Sequence, residues 1–420
     1  MKVDLDRFNS VCSCGKEHEI SVKGILIEAQ ATRHLKEILK GYEHPVFLCD
    51  KNTREASGEA MGEYFHNYPV LELKGNDIHA DDKQVDDVLE RLKPDTDLLI
   101  AVGSGTVHDV TRYIAHDKNI PFLSVPTAAS VDGFVSTVAA MTWHGMKKTM
   151  PAVAPIYVLA DSDIFTHAPY RLTASGISDL LGKYIALLDW KISSLVTGEY
   201  FCDRIYALEF EAVRQVEAVL DKIRNHDKES TEKLMYALIL SGLAMQMIGN
   251  SRPASGAEHH VAHLWEMGII NDKLDALHGE KVSIGLILCL EHYEKIRKAI
   301  ADGKCGVRKS VEFETNLLQQ TFGRKGLYED IMEENGQNIL ESVSLEVLSK
   351  SLPKILLLLQ ELPDSKVMKM ELKDAGCVAD MSEIGLQEDQ KELTLQLCPY
   401  VRRRLTFLRL SKMLDYAQEI

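Results

Sequence analysis

The segment Leu98-Leu-Ile-Ala-Val-Gly-Ser-Gly-Thr-Val-His-Asp109 admits few folds. Its apolar run needs cover on both sides, as in a strand inside a parallel sheet. A Gly-Ser-Gly turn leads straight into a helical pattern with Val107, Val110 and Ile114 on one side. The neighbouring segments repeat this alternation. Residues 46–49, 70–73, 122–125 and 156–159 read as further strands. Between them, residues 83–92 place Val85, Val88, Leu89 and Leu92 on one helical face, with Asp81 or Asp82 as N-cap. Strands alternating with helices imply a parallel sheet covered on both faces. Beyond about residue 173 the strand signal stops, and long helical patterns follow over 231–248, 282–299 and 399–416. At 420 residues, two domains are the expectation. These are an α/β Rossmann-like N-terminal domain over 1–168 and an all-α C-terminal domain over 169–420.

In open α/β sheets ligands bind beyond the carboxyl ends of strands, which is where the loops of interest lie. Gly103 and Gly105 let the backbone turn tightly, and Ser104, Thr106 and Val107 open a helix whose N–H groups suit a pyrophosphate. The spacing is not Gly-x-Gly-x-x-Gly, so a plain tight turn stays a competing reading. The next loop offers Thr127, Ala128, Ala129, Ser130 and Ser136, together with the carboxylate of Asp132. Asp50, just after the strand at 46–49, is a candidate for ribose hydroxyls, against an ordinary turn-capping aspartate.

The helical half carries Ser255-Gly-Ala-Glu-His-His-Val-Ala-His263 and Leu277-His-Gly-Glu-Lys-Val282. His259 and His263 are four apart and share a helical face, and His278 arrives from a separate segment. Imidazoles gathered this way suit a catalytic metal with an open position, provided an anionic ligand exists. Asp179 lies in an otherwise apolar helical stretch where an unpaired carboxylate is costly. Asp179, His259 and His278 therefore form a candidate divalent-metal set, which zinc, nickel or iron would suit. His260 points about 100° away from His259 and reads as a supporting residue.

A formal net charge of -15 argues against general nucleic-acid binding. The longest aliphatic run, 355–359, is too short for membrane insertion. Eight cysteines without a visible secretory signal suggest reduced thiols and a cytoplasmic location.

Five motifs carry a family resemblance: Gly-Ser-Gly-Thr-Val-His-Asp, Pro-Thr-Ala-Ala-Ser-x-Asp-Gly, Gly-x-x-Asp-Leu-x-Gly-Lys, Gly-Ala-Glu-His-His-x-x-His and His-Gly-Glu-Lys-Val. Together, over roughly residues 20–300, they resemble the sn-glycerol-1-phosphate dehydrogenases, most of all the bacterial AraM-like branch. That branch lies within the iron-containing alcohol dehydrogenase and dehydroquinate synthase-like superfamily. The resemblance implies a metal held by Asp179, His259 and His278, and substrate contacts from Asp132, Asp179 and His263. It implies NAD or NADP contacts from Asp50, Gly103 to Val107, Thr127 to Ser130, and Ser136. It further implies one divalent ion, zinc or nickel first, and a homo-oligomer, a dimer first. The small phosphorylated substrate would be dihydroxyacetone phosphate or sn-glycerol 1-phosphate. In this reading Asp132, Asp179 and His263 are catalytic, with His263 binding substrate or relaying a proton, against a packing role.

Arg252, Lys183, Lys147 and Lys148 are the cations considered for the phosphate. The rival readings are a glycerol dehydrogenase, an NAD-dependent sugar-phosphate cyclase and a non-catalytic homologue. Cys12-x-Cys14 with His18 is read as an N-terminal strand and turn, because four zinc ligands are not visible there.

Overall fold

The computed structural model describes residues 1–75, 78–271, 274–309 and 313–416. The chain divides into two compact units, Met1–Leu180 with Ala207–Ser251, and Leu181–Tyr206 with Arg252–Ile420.

The first unit is built on a six-stranded sheet, and every adjacent pair in it is parallel. The spatial order is Gly24–Glu28, Tyr157–Asp161, Phe122–Pro126, Leu98–Gly103, Pro45–Cys49, Val70–Glu72. From Pro45–Cys49 the chain steps outward to Val70–Glu72, then returns to the other flank at Leu98–Gly103. The order therefore reverses between Pro45–Cys49 and Leu98–Gly103, and such a reversal opens a crevice at the strand carboxyl ends. Asp50 and the Gly-Ser-Gly turn follow directly from those two ends.

Alternation along the strands fills both faces. Leu99 and Ala101 pack with Val107, Val110, Ile114, Val85 and Val88. Leu98, Ile100 and Val102 face Leu35, Met61 and Ile164 on the other side. This is why the sequence at 98–102 lacks any polar face. The helix Asp82–Arg91 is capped by Asp81, whose side chain accepts from the Gln84 N–H. The edge strand Gly24–Glu28 was not among the sequence expectations, although buried Ile25 and Ile27 give it a period of two.

The cut expected at residue 168 differs from the observed division. Helix Lys228–Ile248 groups with the first unit because it packs on the Gly133–Val135 turn and on strand Gly24–Glu28. In the second unit, helix Ala257–Glu266 packs on His278–Ala301, which also meets Leu345–Gln360 and Ser365–Asp374. Helix Lys183–Thr197 contacts the first three of these. The long helix expected over 399–416 is not formed. That stretch holds short turns, the four-residue helix Phe407–Leu410 and strand Leu414–Asp415, which pairs with Gly306–Val307. Its backbone is drawn into other bonds: Arg252 donates to Leu405 O, and Phe407 N–H donates to Asp189. Among the described residues, no helix is long and apolar enough to cross a membrane.

One buried histidine ties the turn to the sheet. His108 Nδ1 lies 2.9 Å from Ser104 O, which only accepts, so Nδ1 carries the proton and Nε2 accepts from Ser124 Oγ at 2.7 Å. Burial, then the Arg112 charge, push its pKa down to about 3. The folded value lies below the unfolded value of about 6.5, so neutral His108 contributes stability above that pH. This contribution is lost as pH falls through the folded value. The thermal midpoint should therefore drop more steeply below about pH 6.5 in the native chain than in His108→Asn. Parallel pH curves for the two proteins would contradict this account.

Candidate functional site

In the first unit, Ser104 follows the strand Leu98–Gly103 and precedes helix Gly105–Lys118, with no side-chain cap on the helix. His108 N–H donates to Ser104 O, leaving the amides before it as uncapped helix-end donors. The loop after Phe122–Pro126 runs beside this turn, with Thr127 N–H donating to Gly103 O at 3.0 Å. Thr127, Ala128, Ala129, Ser130 and Ser136 are all buried, and Ser130 Oγ has no hydrogen-bond partner among the described residues. A buried hydroxyl in that state suits a bound polar ligand. Ser136 is used structurally: its Oγ accepts from Val138 N–H and its carbonyl accepts from Arg112. Asp50 caps the helix Lys51–Ala56 through a reciprocal box with Thr53, so the capping role is real. That role engages Oδ1 and is compatible with a ligand on the second oxygen.

The same loop carries Asp132. Its N–H donates to Asp179 Oδ2 at 3.0 Å, so the structure brings these two predicted residues together. Ser241 Oγ lies 3.0 Å from both Asp132 Oδ2 and Glu209 Oε1. The Ser241 hydroxyl therefore bridges the two carboxylates. Glu209 and Ser241 were missed in the sequence, because neither belongs to a motif and they come from different helices. The loop is also clasped by glycines. A Cβ at Gly176 would stand 2.1 Å from Ala129 O, and one at Gly242 would stand 2.8 Å from Asp132 O.

In the second unit, helix Ala257–Glu266 presents His259 and His263, and His278 begins helix His278–Ala301. The ring centroids are 5.2 Å apart for His259 and His278, 5.9 Å for His259 and His263, and 5.8 Å for His263 and His278. His259 Nδ1 lies 2.6 Å from Glu258 Oε1, and His278 Nδ1 lies 2.7 Å from Glu266 Oε1. A carboxylate at Nδ1 makes that nitrogen the donor and keeps the lone pair on Nε2, as in metal-ligating histidines. Glu258 and Glu266 were not singled out in the sequence. Glu266 was legible as the residue three beyond His263 on the same helix. One ligand atom each from His263, Glu266 and His278 lies within 4.8 Å of the others.

The helix start that carries these groups rests on Asp189. This carboxylate accepts from Ala257 N–H, Phe407 N–H and the Tyr293 hydroxyl at 2.8, 2.8 and 3.0 Å. Burial, then the nearby Glu258 charge, push its carboxyl up to about 7 against those hydrogen bonds. His260 is fully buried, and burial with the charge of Arg404 holds it well below the usual histidine range, so it stays neutral. Among the cations considered for phosphate, Arg252 is committed elsewhere. It donates to both oxygens of Glu199 and to the carbonyls of Asp189 and Leu405. Lys183 is buried in helix Lys183–Thr197, and Lys147 and Lys148 lie on the hairpin of Val138–Trp143 with Met146–Pro151.

Residues 26–169 match the family described as iron-containing alcohol dehydrogenase. A glycerol-1-phosphate dehydrogenase [NAD(P)+] of Geobacillus thermodenitrificans is 36% identical over 295 residues, covering 68% of this chain and 73% of the relative. The enzyme of the same name from Halalkalibacterium halodurans is 30% identical over 413 residues, 96% of this chain and 95% of its own. In fold, the chain is similar to a putative alcohol dehydrogenase from Ralstonia eutropha, with a TM-score of 0.63 at 14% identity over 94% and 97% of the two chains. Glycerol dehydrogenase from Schizosaccharomyces pombe gives 0.55 at 19% identity over 92% and 94%.

The carboxylate behind each imidazole yields a direct expectation. Glu266→Ala should weaken divalent-metal affinity by roughly 10–100-fold, the usual consequence of removing such a partner. Competition against a chromophoric chelator measures this, and unchanged affinity would show that Glu266 does not orient His278.

Proposed function

Because this chain belongs to the glycerol-1-phosphate dehydrogenase family, we propose that it interconverts dihydroxyacetone phosphate and sn-glycerol 1-phosphate by NAD(P)-linked hydride transfer at a divalent metal. The chain is an oxidoreductase of the iron-containing alcohol dehydrogenase type. A polyol dehydrogenase is the less favoured reading, since the glycerol dehydrogenase likeness is at the level of fold alone. The observation that carries the metal part is the pair of imidazoles each backed by a carboxylate at Nδ1.

In this proposal Asp179, His259 and His278 hold one zinc or nickel ion. The bound ion supplies Lewis-acid polarisation of the substrate oxygen, and the nicotinamide supplies or takes the hydride. The amides of Gly105, Thr106 and Val107 receive the pyrophosphate, with Gly103 and Ser104 shaping the approach. Thr127, Ala128, Ala129, Ser130 and Ser136 line the cofactor, and the unpartnered Ser130 hydroxyl gains an acceptor or donor from it. Asp50 receives ribose hydroxyls. Asp132 and Asp179 contact the substrate, and the Ser241–Glu209 pair holds Asp132 in place. His263 relays the proton that the alcohol oxygen gains or loses. A cytoplasmic homodimer belongs to the same reading.

The purified chain, supplied with divalent metal and NADH or NADPH, should oxidise the cofactor with dihydroxyacetone phosphate and not with dihydroxyacetone. Its product should be the sn-1 isomer. No oxidation with either ketone overturns the proposal. His263→Ala should lower kcat roughly 10²–10⁴-fold with metal content retained, as loss of a proton-transfer group does.

A further inference from the structure

The N-terminal hairpin gathers a second set of metal-ligating side chains, independent of the dehydrogenase reading. Strand Ser10–Val11 pairs with Glu17–His18, setting Ser10 opposite His18. The connecting turn is closed by Cys12 N–H donating to Lys16 O and Gly15 N–H donating to Cys12 O, both at 3.0 Å. Gly15 has φ 84°, a left-handed value that suits glycine and lets the chain double back within five residues. This turn brings one ligand atom each from Cys12, Cys14 and His18 within 4.8 Å of the others. Cys12 and His18 are buried, at 7% and 1% exposure.

Two details fit this cluster to a bound metal. Cys14 Sγ lies 3.4 Å from His18 Nε2. Two ligands of one tetrahedral zinc, at about 2.3 Å for sulfur and about 2.0 Å for nitrogen, stand about 3.5 Å apart. In addition, His18 Nδ1 lies 2.8 Å from the carbonyl of Met247. A carbonyl only accepts, so Nδ1 bears the proton and the lone pair falls on Nε2, the nitrogen beside Cys14. A backbone carbonyl behind the imidazole is the usual support of a metal-ligating histidine.

We propose that Cys12, Cys14 and His18 bind a structural zinc ion, with the fourth ligand drawn from outside the hairpin. The ion would fasten the hairpin to helix Lys228–Ile248, whose Met247 already holds His18. This departs from the sequence expectation of a bare strand and turn: the strand and turn form, and they bring three zinc-type ligands together.

Cobalt substitution tests the site in the full-length protein, because the proposed catalytic ligands contain no sulfur. The native chain loaded with cobalt(II) under reducing conditions should show a near-ultraviolet sulfur-to-metal charge-transfer band. Cys14→Ser should lose most of that band and one zinc per chain by elemental analysis. His18→Cys keeps a ligand and should retain both zinc and band, which guards against mere misfolding of the serine variant. Absence of the band in the native chain overturns the proposal, as does equal zinc content in the native chain and a Cys12→Ser/Cys14→Ser double variant.

Discussion

Buried carboxylates draw donors to themselves, and the second unit is organised around two of them. Glu258 is fully buried and shares Oε1 between the Gly256 N–H and the His259 ring. Asp189 sits at the start of the same helix and accepts the Ala257 N–H. Both therefore use the positive, donor-rich end of helix Ala257–Glu266. Removing either end of such an arrangement leaves a charge or an amide stranded. The requirement reaches further along the chain, because Asp189 also draws in Phe407 N–H and Tyr293, and Tyr293 in turn accepts from Leu408 N–H. The backbone at 405–408 is thus spent on satisfying the interior beneath the histidines, which is why it cannot continue as one long helix.

That demand explains the limits of the sequence reading. The sheet was legible because strands buried on both faces leave a purely apolar signature, as at 98–102 and 122–125. The loops that follow them were legible because their position is set by the sheet. The pattern over 399–416 also looked helical, since the spacing of Val401, Leu405, Leu408 and Tyr416 records only burial. Nothing in that spacing reveals that Asp189, more than two hundred residues earlier, takes a backbone donor from it. The edge strand Gly24–Glu28 was missed for a different reason: five residues of alternation are too short to stand out beside the longer helical patterns.

The candidate site shows the same division. His259 and His263 were legible as histidines at helical spacing, His278 as a histidine from a separate segment, and Asp179 as a lone carboxylate in an apolar stretch. Their supports were not. Glu209 and Ser241 act on Asp132 through tertiary proximity, and Gly176 and Gly242 matter only because the loop at 127–136 passes within contact distance of them. Each support is chemically ordinary in isolation, so its role exists only after the chain has folded.

The two proposed metals also differ in what their ligands demand. Carboxylate and imidazole leave a borderline ion acidic enough to polarise an oxygen, and three protein ligands leave it a place for substrate. Thiolates donate more charge to the ion and suit a closed shell, which favours cross-linking over catalysis. In the hairpin the support for His18 is a backbone carbonyl, whereas His259 and His278 are backed by carboxylates. A carboxylate behind an imidazole raises its basicity more than a neutral carbonyl does. The stronger support therefore stands where the ion would have to stay bound while its remaining coordination position exchanges substrate for product.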